Sequence, residues 1–225
     1  MSATKTSRTN KEVVLGFIEE VINQKRLDRF DEYFAPGSVY HTGPYVGMGF
    51  NFDDSSGEKL VLVEIAPGGP ADGKMKLGDE LLSAQDGQQI WETFDDLRYS
   101  TWPRGIVGTP VTVRVRRDGE IVVIKLERGL IPGWAAPIHK EFFQQYLLVD
   151  CPDLRVTVEI VLEDGDMVIV YLTNQGTEAK YQRQAVWIEF DLYRVKDGKI
   201  VESWGLEDTF GHLKQLGYQI EPPSM

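Results

Sequence analysis

Apolar residues recur at helical spacing near both ends of the chain and alternate with polar ones through most of the rest. Val13, Val14, Phe17, Ile18, Val21 and Ile22 mark one face of a first helix, with Asn10 as its expected N-cap. Leu27, Phe30, Tyr33 and Phe34 mark a second, short helix that Pro36-Gly37 ends, and Val39-Tyr40-His41 reads as a short strand. From Gly43-Pro44 to about Pro132 the chain is rich in Gly, Pro and β-branched residues. Strands are expected over 60–65, from Leu81, and over 111–117 and 121–127, the last two joined by Asp118-Gly119; a helix is expected over 93–101. Past Pro132 the helical period returns in Ile138, Phe142, Phe143, Tyr146 and Leu147. Four strands in a meander follow, over 155–162, 167–173, 185–195 and 199–206, with Asp164-Gly165 and Asp197-Gly198 in two of the turns. A last helix carries Phe210, Leu213 and Leu216 and stops at Gly217.

This pattern implies an interrupted domain. Residues 1–45 supply helices without a sheet, and 132–225 supply a curved sheet with one face uncovered; together they make about 140 residues, a normal single domain. Residues 46–131 have a strand set of their own, and insertion at an exposed loop is the tolerated way to accommodate them. The fold class is α+β, a cone-shaped, curved antiparallel sheet with N-terminal helices, interrupted by a β-rich module.

Charge and composition narrow the function. The 225 residues carry a net charge of −11, with basic residues scattered apart from Arg114, Arg116 and Arg117, which argues against nucleic acid as a partner. A single cysteine, Cys151, rules out an intrachain disulfide and reads as a buried structural thiol. No apolar run reaches the roughly 18 residues that span a membrane, and the first ten residues lack a signal-peptide core, so a cytoplasmic protein without a membrane partner is expected. No His, Asp or Glu group has metal-ligand spacing, and no Ser or Cys sits in a nucleophile motif, so neither a metal nor any other cofactor is expected.

In the middle segment Gly47-Met48-Gly49-Phe50 is followed in order by Gly69-Pro70-Ala71-Asp72, Leu77-Gly78-Asp79-Glu80-Leu81-Leu82, Asp86-Gly87, Gly108-Thr109 and Val113 to Glu120. This series resembles a PDZ domain of the bacterial processing-protease type. The resemblance implies that Gly47, Met48, Gly49 and Phe50 capture the carboxylate of a peptide or protein C-terminus. Glycines there let backbone N–H groups converge on an anion without a cation. The tail Pro222-Pro223-Ser224-Met225 is one candidate occupant of a neighbour's groove.

The outer segments carry Val21-Ile22-Asn23, Asp31 to Pro36, Val39-Tyr40-His41, Glu163 to Asp166, Gly176-Thr177, Asp191 to Val195, and Asp197-Gly198-Lys199-Ile200-Val201-Glu202-Ser203-Trp204 with Asp208 four residues on. They resemble the SnoaL-like polyketide cyclases, whose cone-shaped fold is shared with ketosteroid isomerases and nuclear transport factor. The resemblance implies a cofactor-free cyclase or isomerase acting on a small apolar carbonyl compound, with Asp208 as acid/base and His41 polarising or holding the substrate. It also implies a homodimer. Regular alternation would set Ile200, Glu202, Trp204, Leu206 and Asp208 on one side of the last strand, with Trp187, Tyr171, Phe142 and Tyr146 lining the same cavity. Where the family has His after Gly-Thr, this chain has Glu178, either a substitute or a surface residue. Asp208 also fits an N-cap of the last helix. The alternative function is a non-catalytic sensor or scaffold that binds a small ligand and a peptide.

Overall fold

The computed structural model describes residues 8–54 and 56–219; the Pro222–Met225 tail lies outside them. The chain divides into two units, one made of the residues up to His41 and from Ala135 on, the other of Thr42–Trp134. The division falls a few residues from the sequence boundaries, because Tyr45–Gly47 pairs with Gly129–Ile131 and the Thr42 N–H bonds the Trp134 carbonyl at 3.0 Å. Both junction segments therefore close on each other.

The divided unit begins with α1 (Asn10–Gly16), which continues through a wider π-helical stretch, Phe17–Asn23. Thr9, not Asn10, is the N-cap. Glu12 lies three residues after Thr9, so the two side chains and backbone N–H groups satisfy each other reciprocally at 3.2 and 2.8 Å. The expected second helix shrinks to one turn, α2 (Phe30–Tyr33), and Phe34 already opens β1 (Phe34–His41).

In the second half of this unit β10 (Ala135–Pro137) leads into α4 (Lys140–Gln145) and a π-helical turn, Tyr146–Asp150. Four long strands follow: β11 (Arg155–Asp164), β12 (Met167–Glu178), β13 (Arg183–Lys196) and β14 (Lys199–Glu207), then α5 (Thr209–Gln215). The sheet order is β10-β1-β14-β13-β12-β11. It is a curved mixed sheet rather than an all-antiparallel one, because β1 runs parallel to β14, with His41 opposite Trp204. The turn between β13 and β14 places both Asp197 (φ 50°) and Gly198 (φ 74°) in the left-handed region that a tight hairpin needs.

One face of this sheet packs on α1. Val13, Val14, Phe17, Ile18 and Val21 are buried against Val168, Val170, Leu172, Tyr193, Val195 and Ile200, and Phe17, Phe30, Phe34 and Phe143 form an aromatic cluster. Each such side chain contributes about 1.5–3 kcal/mol by leaving water. Cys151 belongs to this core, and burial pushes its thiol up to about 12.

The other unit has β2 (Tyr45–Gly47), β3 (Phe50–Asp53), β4 (Leu60–Ile65), β5 (Glu80–Asp86), β6 (Gln89–Trp91), α3 (Phe94–Tyr99), β7 (Pro110–Arg117), β8 (Glu120–Glu127) and β9 (Gly129–Ile131). Its main sheet runs β3-β4-β5-β7-β8, with β6 on β5 and a separate β2-β9 ribbon. Thr93 caps α3, and its core includes Met48, Leu62, Trp102 and Val113. Among the described residues no helix is long and apolar enough to cross a membrane.

Candidate functional site

The register of β14 decides which side chains meet. It slips against β13 between Arg194 and Val195, so Ile200 opposes Val195 while Glu202 opposes Arg194. A bulge flips phase. Ile200 is fully buried in the core, whereas Glu202, Trp204 and Leu206 face the other way. The expected common side for these residues is therefore broken.

On that outer face His41 Nε2 lies 2.9 Å from Glu202 Oε2, and the His41 ring stacks on Trp204 at 4.3 Å and 4°. Arg194 Nη1 donates to Glu202 Oε1 at 2.8 Å. The His41 hydrogen bond and the Arg194 charge hold the Glu202 carboxyl below its usual range. Tyr171 stacks on Phe190 on the same face at 4.7 Å. Phe142 is 76% exposed rather than turned into a cavity wall.

Asp208 takes the capping role. It is exposed, and its Oδ1 accepts the Gly211 N–H at 2.9 Å at the start of α5. The structure does not bring it together with His41. Of the residues expected to line one cavity, only Trp187, Tyr146 and Glu178 belong to the inner side.

The inner side holds a polar group that the sequence reading missed. Along β13, Ala185, Trp187, Glu189, Asp191, Tyr193 and Val195 alternate inward, so two carboxylates interrupt an otherwise apolar phase. That interruption is the signal that could have found them. Tyr193 Oη donates to Asp191 Oδ2 at 2.7 Å, and the fully buried Asn174 donates from Nδ2 to Glu189 Oε2 at 2.9 Å. Burial, then the neighbouring Asp191 charge, pushes the Glu189 carboxyl up to about 8. Burial also raises Asp191, while hydrogen bonds from Tyr193 and the Glu189 carboxyl restrain it. Burial thus raises both carboxyls, and each keeps a hydrogen-bond donor of its own.

Space for this pair comes from Gly205, opposite Asp191 on β14. A Cβ there would come within 2.9 Å of Asp191 Oδ1 and 3.5 Å of both Glu189 Oε1 and the Tyr40 hydroxyl. Tyr40, 40% exposed, has its phenol raised by burial and then by the Asp191 and Glu189 charges. Glu207 pairs in register with Glu189.

On the same inner side, Tyr146 Oη donates to Glu178 Oε1 at 3.2 Å, and the His212 ring lies flat on Trp187 at 4.1 Å and 5°. Burial raises Glu178 and lowers His212. Elsewhere in this unit a cavity of about 330 Å³ is lined by Phe30, Phe34, Ser38, Ile138, His139 and Lys199, none of them expected from the sequence. Among the described residues no group of three or more His, Cys, Asp or Glu could hold a metal ion.

In the other unit the Gly47–Phe50 loop is anchored through its carbonyls. Ala71 N–H bonds Met48 O at 3.1 Å and Ala66 N–H bonds Gly49 O at 2.8 Å. Gly49 has φ +77°, while the Met48 and Phe50 side chains are buried in the core. The Tyr45 ring leans on Gly47, where a Cβ would come within 2.7 Å of Cε2, and the Arg104 guanidinium lies 4.6 Å from the ring centroid. β3 is the terminal strand of its sheet.

Residues 137–216 match the SnoaL-like polyketide cyclase family; the match does not extend to residues 46–131. No curated protein matches the chain. Among solved structures, wild-type IdmH, a putative polyketide cyclase from Streptomyces antibioticus, is 17% identical over 94% of this chain and 100% of its own, with a TM-score of 0.47. A putative polyketide cyclase from Bacillus cereus is 32% identical over 36% of this chain and 55% of its own, with a TM-score of 0.32. A SnoaL-like polyketide cyclase from Agrobacterium tumefaciens is 12% identical over 93% and 99%, with a TM-score of 0.46.

Proposed function

We propose that the divided unit is a cofactor-free acid–base catalyst of the cyclase or isomerase class, acting on a small apolar carbonyl compound at the Glu189–Asp191 pair. The observation that carries this reading is the pair itself: two inward carboxyls, one held protonated up to about 8, each with its own hydrogen-bond donor. The family match over residues 137–216 supports the same reaction class. Asp191, as carboxylate, takes a proton from the carbon next to the carbonyl. The Glu189 carboxyl gives one to the carbonyl oxygen, so charge does not accumulate on the substrate. Tyr193 and Asn174 fix the two groups in place.

The test uses 5-nitrobenzisoxazole, whose ring opens when a base removes its one C–H proton. Wild-type protein is expected to open it faster than acetate at equal concentration, and Glu189→Gln and Asp191→Asn to lose that excess. Wild-type rates in both variants would sink the reading.

A second reading concerns the Thr42–Trp134 unit, which we propose takes peptide C-termini in a PDZ-like manner. The left-handed Gly49 and the terminal position of β3 favour it, since an added strand needs a free edge and a turn that exposes N–H groups. Fluorescence anisotropy of peptides with free and amidated C-termini separates the outcomes: a preference for the free carboxylate supports carboxylate capture, and equal binding or none removes it.

A further inference from the structure

The cavity of about 330 Å³ beside Phe30 and Phe34 has no part in the reaction proposed above. It touches β14 at Lys199, whereas the acid pair lies opposite Gly205, six residues and about 20 Å along the same strand. The cavity exists because β1 leaves β14. Phe34 pairs with Ile200 and Val39 with Glu202, so residues 35–38 stand against Val201 alone. The surplus chain swings outward. Pro36 has no N–H to give to a ladder, and Gly37 is left-handed at φ 75° with open space where a Cβ would stand.

Two hydrogen bonds and an aromatic stack fix the walls. Lys199 Nζ donates to Asp31 O at 2.7 Å, which joins β14 to α2. The Ile138 N–H donates to Ser38 O at 2.9 Å, which joins the segment before α4 to the outward swing of β1. Phe30 and Phe34, each 4% exposed, stack at 4.5 Å and 15° and pack on Phe143. The polar part of the lining is sorted by depth. Lys140 and Lys199 are half-buried, whereas Asp31 and Glu141 are exposed, where water screens their charge. The Asp31 carbonyl uses one of the three Lys199 N–H donors and leaves two. Ser38, 5% exposed, adds a hydroxyl to the lining.

We propose that this cavity is a binding site for a small aromatic carboxylate, with the ring against Phe30, Phe34 and Ile138 and the carboxylate held by Lys199 and Lys140. The site is separate from the acid–base pair, and neither reading needs the other. The volume falls at the small end of the range that ligand sites occupy, which suits one ring and a short polar group. A ring is selected because the apolar lining is itself a stacked aromatic pair, against which an edge or an offset face packs well. An anion is selected because the half-buried charges of the lining are both ammonium groups, and bonds from an ammonium to a carboxylate are the strong kind. The apolar floor beside them excludes water, so their attraction for a carboxylate is greater than that of lysines on an open surface.

Titration of the nitrogen-15-labelled full chain with benzoate, followed by NMR, tests this, with benzamide and benzylamine as neutral and cationic forms of the same ring. Benzoate is expected to shift the amides of Gly37, Ser38, Lys140 and Lys199 saturably and to bind about tenfold or more tighter than benzamide. Benzylamine should leave those amides in place. Lys140→Met and Lys199→Met, which keep an unbranched apolar stem, should each weaken benzoate about tenfold and leave benzamide unchanged. Lys199 also ties Asp31, so Lys140→Met decides the matter if Lys199→Met fails to fold. Equal binding of benzoate and benzamide, tighter binding of benzylamine, or no saturable shift at these amides overturns the proposal. Shifts confined to the surroundings of Glu189 and Trp187 overturn it as well, since the ring would then sit with the acid pair.

Discussion

Tyr193 Oη donates to Asp191 Oδ2 at 2.7 Å from the next inward position of the same strand. The bond favours the Asp191 carboxylate, so it keeps the base of the pair ionised beside a protonated Glu189. Tyr193→Phe removes the donor and leaves the ring packed. A hydrogen bond to a charged group is worth about 1.5–3 kcal/mol, so benzisoxazole turnover is expected to fall about tenfold or more. Carbon-13 NMR of the Asp191 carboxyl should show its titration moving upward. An unchanged titration would mean that the phenol does not hold the carboxylate.

Glu189 imposes a pH dependence on stability. Its folded value, about 8, lies above the ordinary 4.5. Between those values the unfolded chain has released a proton that the folded chain still binds, so stability falls as pH rises from about 4.5 to 8 and then levels. At about 1.4 kcal/mol per unit the loss is a few kcal/mol, and Asp191 and Glu178, also raised by burial, add in the same direction. His212 works oppositely, with stability lost as pH falls below about 6.5. Denaturant melts between pH 5 and 9 should therefore show a slightly acidic optimum. Glu189→Gln should flatten the alkaline side, and a slope equal to wild type would count against the buried acid.

The outer cluster behaves in the opposite sense. His41 and Arg194 depress Glu202, so its contribution is present above the unfolded value near 4.5 and is lost as pH falls through the lower folded value. Glu202→Gln is expected to lower the Tm at pH 7, with the gap closing at acid pH, and to leave benzisoxazole turnover within twofold. A large loss of turnover would return His41 and Glu202 to the site.

What the sequence made legible was local. Asp118-Gly119 and Asp197-Gly198 marked hairpins because two left-handed residues in succession are a property of the turn alone. The Asp208 cap was legible for the same reason. The facing of Glu202 and Trp204 was not, since the bulge that turns them outward exists only in the pairing of β14 with β13. The parallel setting of β1 beside β14 likewise depends on chain ends separated by a whole inserted unit. Glu189 and Asp191 were readable in part: strict alternation from Ala185 to Val195 puts them in the buried phase, where an acid needs a reason. His212 was not readable, because its position on Trp187 is set by Gln215 filling a strand edge.

Gly205 gives the most direct test of the pair. Its φ is not left-handed, so alanine meets no backbone strain there, and only space is at issue. The added Cβ would stand 2.9 Å from Asp191 Oδ1 and 3.5 Å from Glu189 Oε1 and Tyr40 Oη. Contacts at 2.9 Å do not persist, so the Asp191 carboxylate must turn away from Tyr193. Gly205→Ala is expected to cost about 1–3 kcal/mol in denaturant unfolding, as overpacking does, and to reduce benzisoxazole turnover about tenfold or more. The fall in turnover as Glu189 gives up its proton near pH 8 should also move, because the acid no longer faces Asp191 in the same way. Tyr40→Phe, which removes the third group around that space without adding bulk, should leave that fall in place. If Gly205→Ala unfolds normally and keeps both the rate and the pH of that fall, the carboxylates do not depend on the gap that Gly205 leaves, and the acid–base assignment to Glu189 and Asp191 fails with it.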